Sequence, residues 1–226
     1  MSNFNSASML SFDLETTGVD PYKARIVTSS LVSIHNSNVD TWNALANPGV
    51  PIPQEAADVH GISTEYAQAN GRPHDEVLKE TIERIRAGWA NGQTLIVYNA
   101  AYDLTVLHAL DPSFRVEGLV FDPLVIDRIK EPRRRGGRKL TTLCEHYGIT
   151  LDNAHNSTAD SLAAARIAWF QANAYPDLVA MDEAELMEFQ AVGYDAAQRS
   201  LIEYFQREHP ERAATVTRQW PIAERL

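Results

Sequence analysis

Cysteine is nearly absent from this 226-residue chain. Cys144 stands alone, so no disulfide framework can form within it, and a reducing compartment suits it. No stretch approaches the roughly 20 consecutive apolar residues that a membrane-spanning helix needs. The start, Met1-Ser2-Asn3-Phe4-Asn5-Ser6, lacks the basic-then-apolar order of a targeting segment. These absences predict a cytoplasmic protein with no membrane partner. Positive charge is also scarce: 20 Lys and Arg face 30 Asp and Glu, a net −10 that argues against a general nucleic-acid coat. Internal repeats and low-complexity tracts are missing as well. What is present, 44% hydrophobic with 22% charged residues, is the composition of a globular protein able to bury a core without staples.

The charge is uneven. Between Arg128 and Lys139 seven basic residues stand against Glu131 alone, so this segment is +6 and the remainder is −16. Binding to a polyanion is thereby confined to one strip, unless the strip is only a solvated loop. Cys144, among Leu140, Leu143 and Tyr147, reads as a small core residue.

Alternation of element types suggests an α/β domain. Strands are predicted over Met9–Glu15, Ile26–Ile34 and Val39–Ala46, the last two joined by a hairpin at Asn36-Ser37-Asn38. Val77, Ile82, Ile85 and Trp89 recur at helical spacing. A buried strand at Leu95–Tyr98, a helix over Asp103–Leu110 stopped by Asp111-Pro112, and a strand at Val120–Ile126 follow. Helices are expected at Leu140–Tyr147 and Thr158–Ala174. A long one with an apolar stripe (Leu186, Phe189, Ala197, Leu201, Phe205) runs up to Pro210. Its end, Gln198–Phe205, resembles a sliding-clamp peptide but reads first as a packing face. The tail through Trp220-Pro221-Ile222 either docks back or binds a partner. The expected division is an enzyme domain over residues 1–176 and a C-terminal helix and tail over 177–226, packed on it.

Three acidic sites carry chemistry. Asp13 and Glu15 lie one residue apart in an apolar strand and therefore share a face. Side by side and buried, they repel and lose hydration unless a cation lies between them. Asp103 opens a helix just after a strand end, where ligands of α/β sheets bind, although a first-turn carboxylate also suits the helix dipole alone. Asp160 sits in the first turn of the next long helix, capped by Ser157 or Thr158, with His155 on the loop before it. Four carboxylates at such element ends, converging on one crevice, call for about two hard cations, Mg²⁺ or Mn²⁺ rather than zinc. Two such ions commonly drive in-line attack on a phosphodiester.

Phe12-Asp13-Leu14-Glu15-Thr16-Thr17-Gly18, Asn99-Ala100-Ala101-Tyr102-Asp103 and His155-x4-Asp160 resemble the three motifs of DnaQ-like 3′–5′ exonucleases. These are the DEDD nucleases of the histidine subgroup, a family that includes the proofreading epsilon subunit of bacterial DNA polymerase III. Val59-His60-Gly61-Ile62 resembles a connecting motif of the same family, and the likeness spans about residues 8 to 172. It implies an RNase H-like fold, a mixed five-stranded sheet flanked by helices, here with a C-terminal helical extension. By the same resemblance Asp13 bridges two metals, Glu15 and Asp160 complete the nucleophile-side metal, Asp103 holds the second, and His155 deprotonates the attacking water. Thr17, His60, Asn99 and Tyr102 match positions around the last nucleotides. Arg133, Arg134 and Arg135 are the candidate phosphate contacts.

The expected activity is release of nucleoside 5′-monophosphates from the 3′ end of single-stranded or frayed DNA, in proofreading or repair, with a DNA polymerase or other replication protein as a partner. The alternatives are an exoribonuclease that trims RNA 3′ ends or degrades oligonucleotides, and a non-catalytic nucleic-acid-binding polymerase accessory module.

Overall fold

A computed structural model describes residues 3–151 and 156–223. The chain opens with β1 (Ser8–Thr16), β2 (Ile26–His35) and β3 (Asn38–Asn47). The helices α1 (Gln54–His60) and α2 (Thr64–Asn70), the short strand β4 (Arg72–Pro73) and α3 (His74–Ala90) follow. Next come β5 (Thr94–Val97), α4 (Ala100–Leu110), β6 (Val120–Phe121), α5 (Pro123–Lys130) and α6 (Leu140–Tyr147). The long α7 (Ser157–Ala174), α8 (Pro176–Ala180) and α9 (Glu183–Glu208) complete the elements that matter for the site.

The strands form one mixed sheet in the order β4-β3-β2-β1-β5-β6. β1, β2 and β3 are antiparallel neighbours, while β5 lies parallel to β1 and β6 parallel to β5. The expected five strands gain a sixth at the edge, because Arg72 and Pro73 pair with Ala46 and Asn47 just before α3. One face of the sheet carries the largest apolar cluster, in which Phe12, Leu14 and Leu31 meet Val77, Ile82 and Ile85 of α3 and Leu104 and Leu107 of α4. The other face receives α7, whose Ala164, Ala165 and Ala168 pack beside Ile96 and Phe121. These small side chains let a helix approach the sheet closely.

Two expectations change. Val120–Ile126 is not one strand: β6 stops at Phe121 and α5 begins at Pro123. Asp122 is the reason, since its carboxylate caps Leu124 and Val125 N–H and proline is favoured in a first helical turn. The segment after Pro53, which carries no clear period in sequence, forms α1 and α2, with Gly61 ending α1 in the left-handed conformation at φ 76°.

The C-terminal tail docks on the domain. Trp220 is buried in the main core, Ala223 N–H donates to Thr105 Oγ1 at 2.9 Å, and Tyr22 OH donates to the Ala223 carbonyl at 2.9 Å. Phe205 is buried and Tyr204 exposed on a continuous helix, so the Gln198–Phe205 stretch is held as a packing face. Cys144 is buried in a small cluster with Leu143 and Ile167, and burial pushes its thiol up to about 11. Among the described residues no helix is long and apolar enough to cross a membrane.

Candidate active site

The two-residue period of β1 sends Phe12 and Leu14 into the main core and leaves Asp13 and Glu15 on the α7 face. Their cross-strand partners on β2 are Ser30 and Thr28. These hydroxyls anchor the start of α7: Thr28 Oγ1 donates to Ser157 Oγ at 3.2 Å, and Ser30 Oγ bonds Thr158 Oγ1 at 2.9 Å. Lower on the same face Ser11 Oγ donates to the Ser161 carbonyl at 2.6 Å. With Ser157 and Thr158 committed to the sheet, the cap of α7 falls to Asn156, whose side chain accepts from Thr158 and Ala159 N–H. The first turn then delivers Asp160 to β1. One oxygen from each of Asp13, Glu15 and Asp160 lies within 4.8 Å of the others.

Asp103 arrives from the other side. The β1–β5 ladder ends at Phe12–Val97, so β1 runs on past its neighbour. Leu14 N–H, beyond that end, donates to Asp103 Oδ1 at 3.1 Å. Asp103 itself is buried in the first turn of α4.

Burial, then Asp103, Glu15 and Asp160 in turn, hold Asp13 well above the ordinary carboxylate range. Burial and Asp160 push Glu15 up to about 7. Burial also raises Asp103, opposed by the Leu14 hydrogen bond that favours its charged form. The cluster is therefore a poor set of bare anions and a good oxygen cradle for a hard divalent cation. The donor set fits such an ion: Asp13, Glu15 and Asp160 offer three convergent carboxylates, with Asp103 adjacent.

This electrostatic state has a measurable consequence. A carboxyl raised in the folded state binds more protons folded than unfolded, so stability falls as pH rises between the two pKa values. For Glu15 that window runs from its ordinary 4.5 to about 7. The metal-free protein is expected to lose melting temperature as pH rises through this window. Added Mg²⁺ or Mn²⁺ should restore more at pH 7.5 than at pH 5, because the cation binds the ionised form. Thermal scans with and without chelator check this, and a metal-free melting temperature flat across the window would refute it.

Beside the carboxylates lies a cleft of about 550 Å³ lined by Glu15, Thr17, Val59, His60 and Tyr102, among others. His60 Nδ1 accepts from Ile62 N–H at 3.2 Å, and burial lowers its pKa, so the ring is neutral with its proton on Nε2. The Thr16 backbone opposes that lowering, so the ring is held against the end of β1. Thr17 Oγ1 accepts from Arg25 N–H at 3.0 Å. The Tyr102 hydroxyl donates to the Gly18 carbonyl and meets the Thr16 hydroxyl, which fixes its ring as a wall of the cleft. Asn99 is separated from this group. It adopts the left-handed conformation at φ 68°, is exposed, and lines a second cleft of about 900 Å³ between Tyr22, Tyr102 and the Ala214–Gln219 tail.

Comparison with known proteins meets this geometry directly. The exonuclease family model RNase_T matches residues 10–168, a span from β1 into α7 that contains every acidic residue of the cluster. The chain belongs to that exonuclease family. It is 28% identical over 162 residues to the PolC-type DNA polymerase III of Listeria monocytogenes, covering 70% of this chain but 11% of that protein. It therefore spans about a tenth of the length of the curated relatives it matches. Among solved structures it is similar to the exonuclease I of Methylocaldum szegediense, with TM-score 0.62 and 22% identity over 76% of this chain and 42% of that one. It is also similar to exonuclease X in complex with 5′ overhanging duplex DNA, with TM-score 0.59 and 16% identity over 80% of this chain and 99% of that one. These two likenesses show the RNase H-like fold.

Within this exonuclease framework His155, the expected general base, lies outside the described residues. The basic strip is only partly available. Arg134 makes a two-pronged contact with the fully buried Asp127, at 3.2 Å from Nε and 2.9 Å from Nη2, and Arg138 joins it. Lys130 pairs with Asp177 and sits over the Tyr175 and Phe189 rings. Arg134 is thus turned inward, against its assignment to phosphate, whereas Arg133 and Arg135 are exposed. Arg134→Ala is expected to cost about 1.5–3 kcal/mol of stability by weakening the hold on a buried carboxylate. Arg133→Ala and Arg135→Ala should change stability by less than about 0.5 kcal/mol. Urea unfolding of the three variants reads the difference, and equal effects would contradict the inward placement.

Asp122 is a positioning residue absent from the motif reading. It is fully buried and accepts from Asn99 and Ala100 N–H at 3.0 and 2.8 Å as well as from the start of α5. It therefore ties down the turn that carries Asp103. An aspartate before proline at a strand end was its trace in the sequence, but that pattern announces only a helix cap.

Proposed function

We propose that this protein is a 3′–5′ exonuclease that removes nucleoside 5′-monophosphates from DNA with two bound Mg²⁺ or Mn²⁺ ions. The observation that carries the reading is the convergence of Asp13, Glu15 and Asp160 oxygens within 4.8 Å, beside buried Asp103 and an open cleft. When bound, the ions supply Lewis-acid stabilisation and an activated water. The chain's own residues would hold them: Asp13, Glu15 and Asp160 through their convergent oxygens, with Asp103 as the further carboxylate beside Asp13. His155 takes the proton of the attacking water. His60 and Thr17 line the cleft that receives the terminal nucleotide, whose base rests on the Tyr102 ring. Arg133 and Arg135 attract phosphates farther along. The relatives' polymerase context supports DNA and a replication partner over an RNA-trimming role.

Polarity is tested with a single strand labelled at its 5′ end. A descending ladder is expected, a 3′-phosphate should block digestion, and a 5′-phosphate should not. Cleavage of a closed single-stranded circle would overturn the reading. A matched RNA strand degraded faster than DNA would replace the substrate and keep the chemistry.

A further inference from the structure

A second cluster of unusual side chains lies on α6 and α7, away from the carboxylates. Trp169 and Phe170, adjacent on α7, are 46% and 38% exposed. Two large aromatics exposed side by side make a contiguous apolar patch rather than a scattered residue. Their rings meet edge to face at 5.1 Å between centroids, Phe170 stacks on Tyr147 at 6.1 Å, and Tyr147 meets His146 at 4.9 Å. Four rings thus run in a row across the α6–α7 surface. Exposed arginines lie around them, with Glu131 and Glu145 as the acidic neighbours. The Arg133–Arg138 loop is tied to the same small core, since Tyr98 OH donates to the Arg138 carbonyl at 2.6 Å and both Tyr98 and Tyr147 pack on it. Arg134 and Arg138 lie beside Tyr147 with Glu131, but both are committed to Asp127. Arg133 and Arg135 are exposed on this loop, and Arg166 is exposed one turn before Trp169 and Phe170.

We propose that the exposed Trp169 and Phe170, backed by Tyr147, with Arg166 one turn away and Arg133 and Arg135 on the adjoining loop, form a second binding platform for single-stranded polynucleotide, distinct from the cleft that receives the cut end. The inference rests on the nucleic-acid reading of the catalytic cleft. Exposed rings offer stacking faces to any base, and the guanidinium groups attract the phosphates between them, the combination that holds single strands without reading sequence. A second copy of this chain suits the face less well. A two-fold contact would set like-charged arginines of the two copies against each other. Position supports a role in catalysis at a distance. Trp169 lies nine residues after Asp160 on the same helix, about 14 Å along its axis and on the opposite face, so a strand would pass around α7 to reach it. A strand lying on the platform would remain tethered while its end is trimmed. The platform should therefore lower KM for long strands and leave the chemical step alone.

The test compares a long and a short substrate. Binding of an oligothymidylate of about 20 nucleotides, longer than a single-strand site usually needs, is measured in chelator, where hydrolysis stops. The double variant Trp169→Ala/Phe170→Ala is expected to bind it at least about fivefold more weakly, the smallest loss one lost stacking contact gives. Trp169→Tyr should keep most of the affinity. With Mg²⁺ present, hydrolysis of a trinucleotide, too short to reach the platform, should be unchanged in the double variant, which also shows that the fold survives. Trp169 emission should fall when the long strand binds. An unchanged affinity in the double variant would overturn the proposal. So would self-association that disappears in the double variant while strand binding persists, which would make this face a contact between copies. Failure of the wild-type protein to cut either substrate would refute the exonuclease reading on DNA, and the binding measurement would still decide the platform.

Discussion

Asp13→Asn is expected to abolish hydrolysis, with turnover falling by about 10³-fold or more, because a lost metal contact removes several kcal/mol of transition-state stabilisation. The size of the effect follows from where Asp13 sits. Its oxygens lie within reach of Glu15 and Asp160, and its charge is felt by Asp103 as well. It stands among the other three carboxylates, so a single change weakens the whole cradle. Stability should move the opposite way. Burial and three acidic neighbours hold Asp13 above the ordinary range, so its charged form is costly at neutral pH. An isosteric amide removes that cost, and the metal-free variant should melt higher than the metal-free wild type. The rise in melting temperature on adding Mg²⁺ should shrink in the variant. Turnover near that of the wild type would defeat the two-metal reading, and a lower metal-free melting temperature would defeat the electrostatic one.

His155→Ala is expected to lose about 10²–10⁴ in kcat, the range for a positioned general base. This prediction comes from the sequence motif, since His155 lies outside the described residues. As a base it needs its neutral form, so activity in the wild type should climb as pH rises through the region where histidine titrates, about 6.5 in the unperturbed group. Metal affinity separates this role from a ligand's. Asp160→Asn should weaken metal binding, because Asp160 supplies one of the three convergent oxygens, whereas His155→Ala should leave it nearly intact. Titrating Mn²⁺ into both variants decides between them. If His155→Ala loses affinity as severely as Asp160→Asn, His155 is a ligand and the base must be sought elsewhere.

Local rules made much of the site legible in the sequence. A strand alternates faces at every residue, so Asp13 and Glu15 had to share a face while Phe12 and Leu14 took the other. A helix start favours an acidic first turn, so Asp103 and Asp160 were placed at the openings of α4 and α7. Motif order then carried the family, and the matched span contains all four carboxylates.

What local rules could not decide depends on contacts between distant parts of the chain. Ser157 and Thr158 looked like caps, yet their hydroxyls bond Thr28 and Ser30, about 130 residues earlier. That leaves Asn156 to cap α7 and sets Asp160 over β1. Arg134 and Arg135 are indistinguishable as neighbours in a basic run. Only the burial of Asp127 beneath the loop draws Arg134 inward and leaves Arg135 in solvent. Asp122 reads locally as a helix cap, but the return of the chain lets the same carboxylate accept from Asn99 and Ala100, and so hold the turn that carries Asp103. The tail is the extreme case. Residues near 220 close against Thr105 and Tyr22. No periodicity encodes such a contact, because its free energy comes from groups that become neighbours only once the sheet and its helices have assembled.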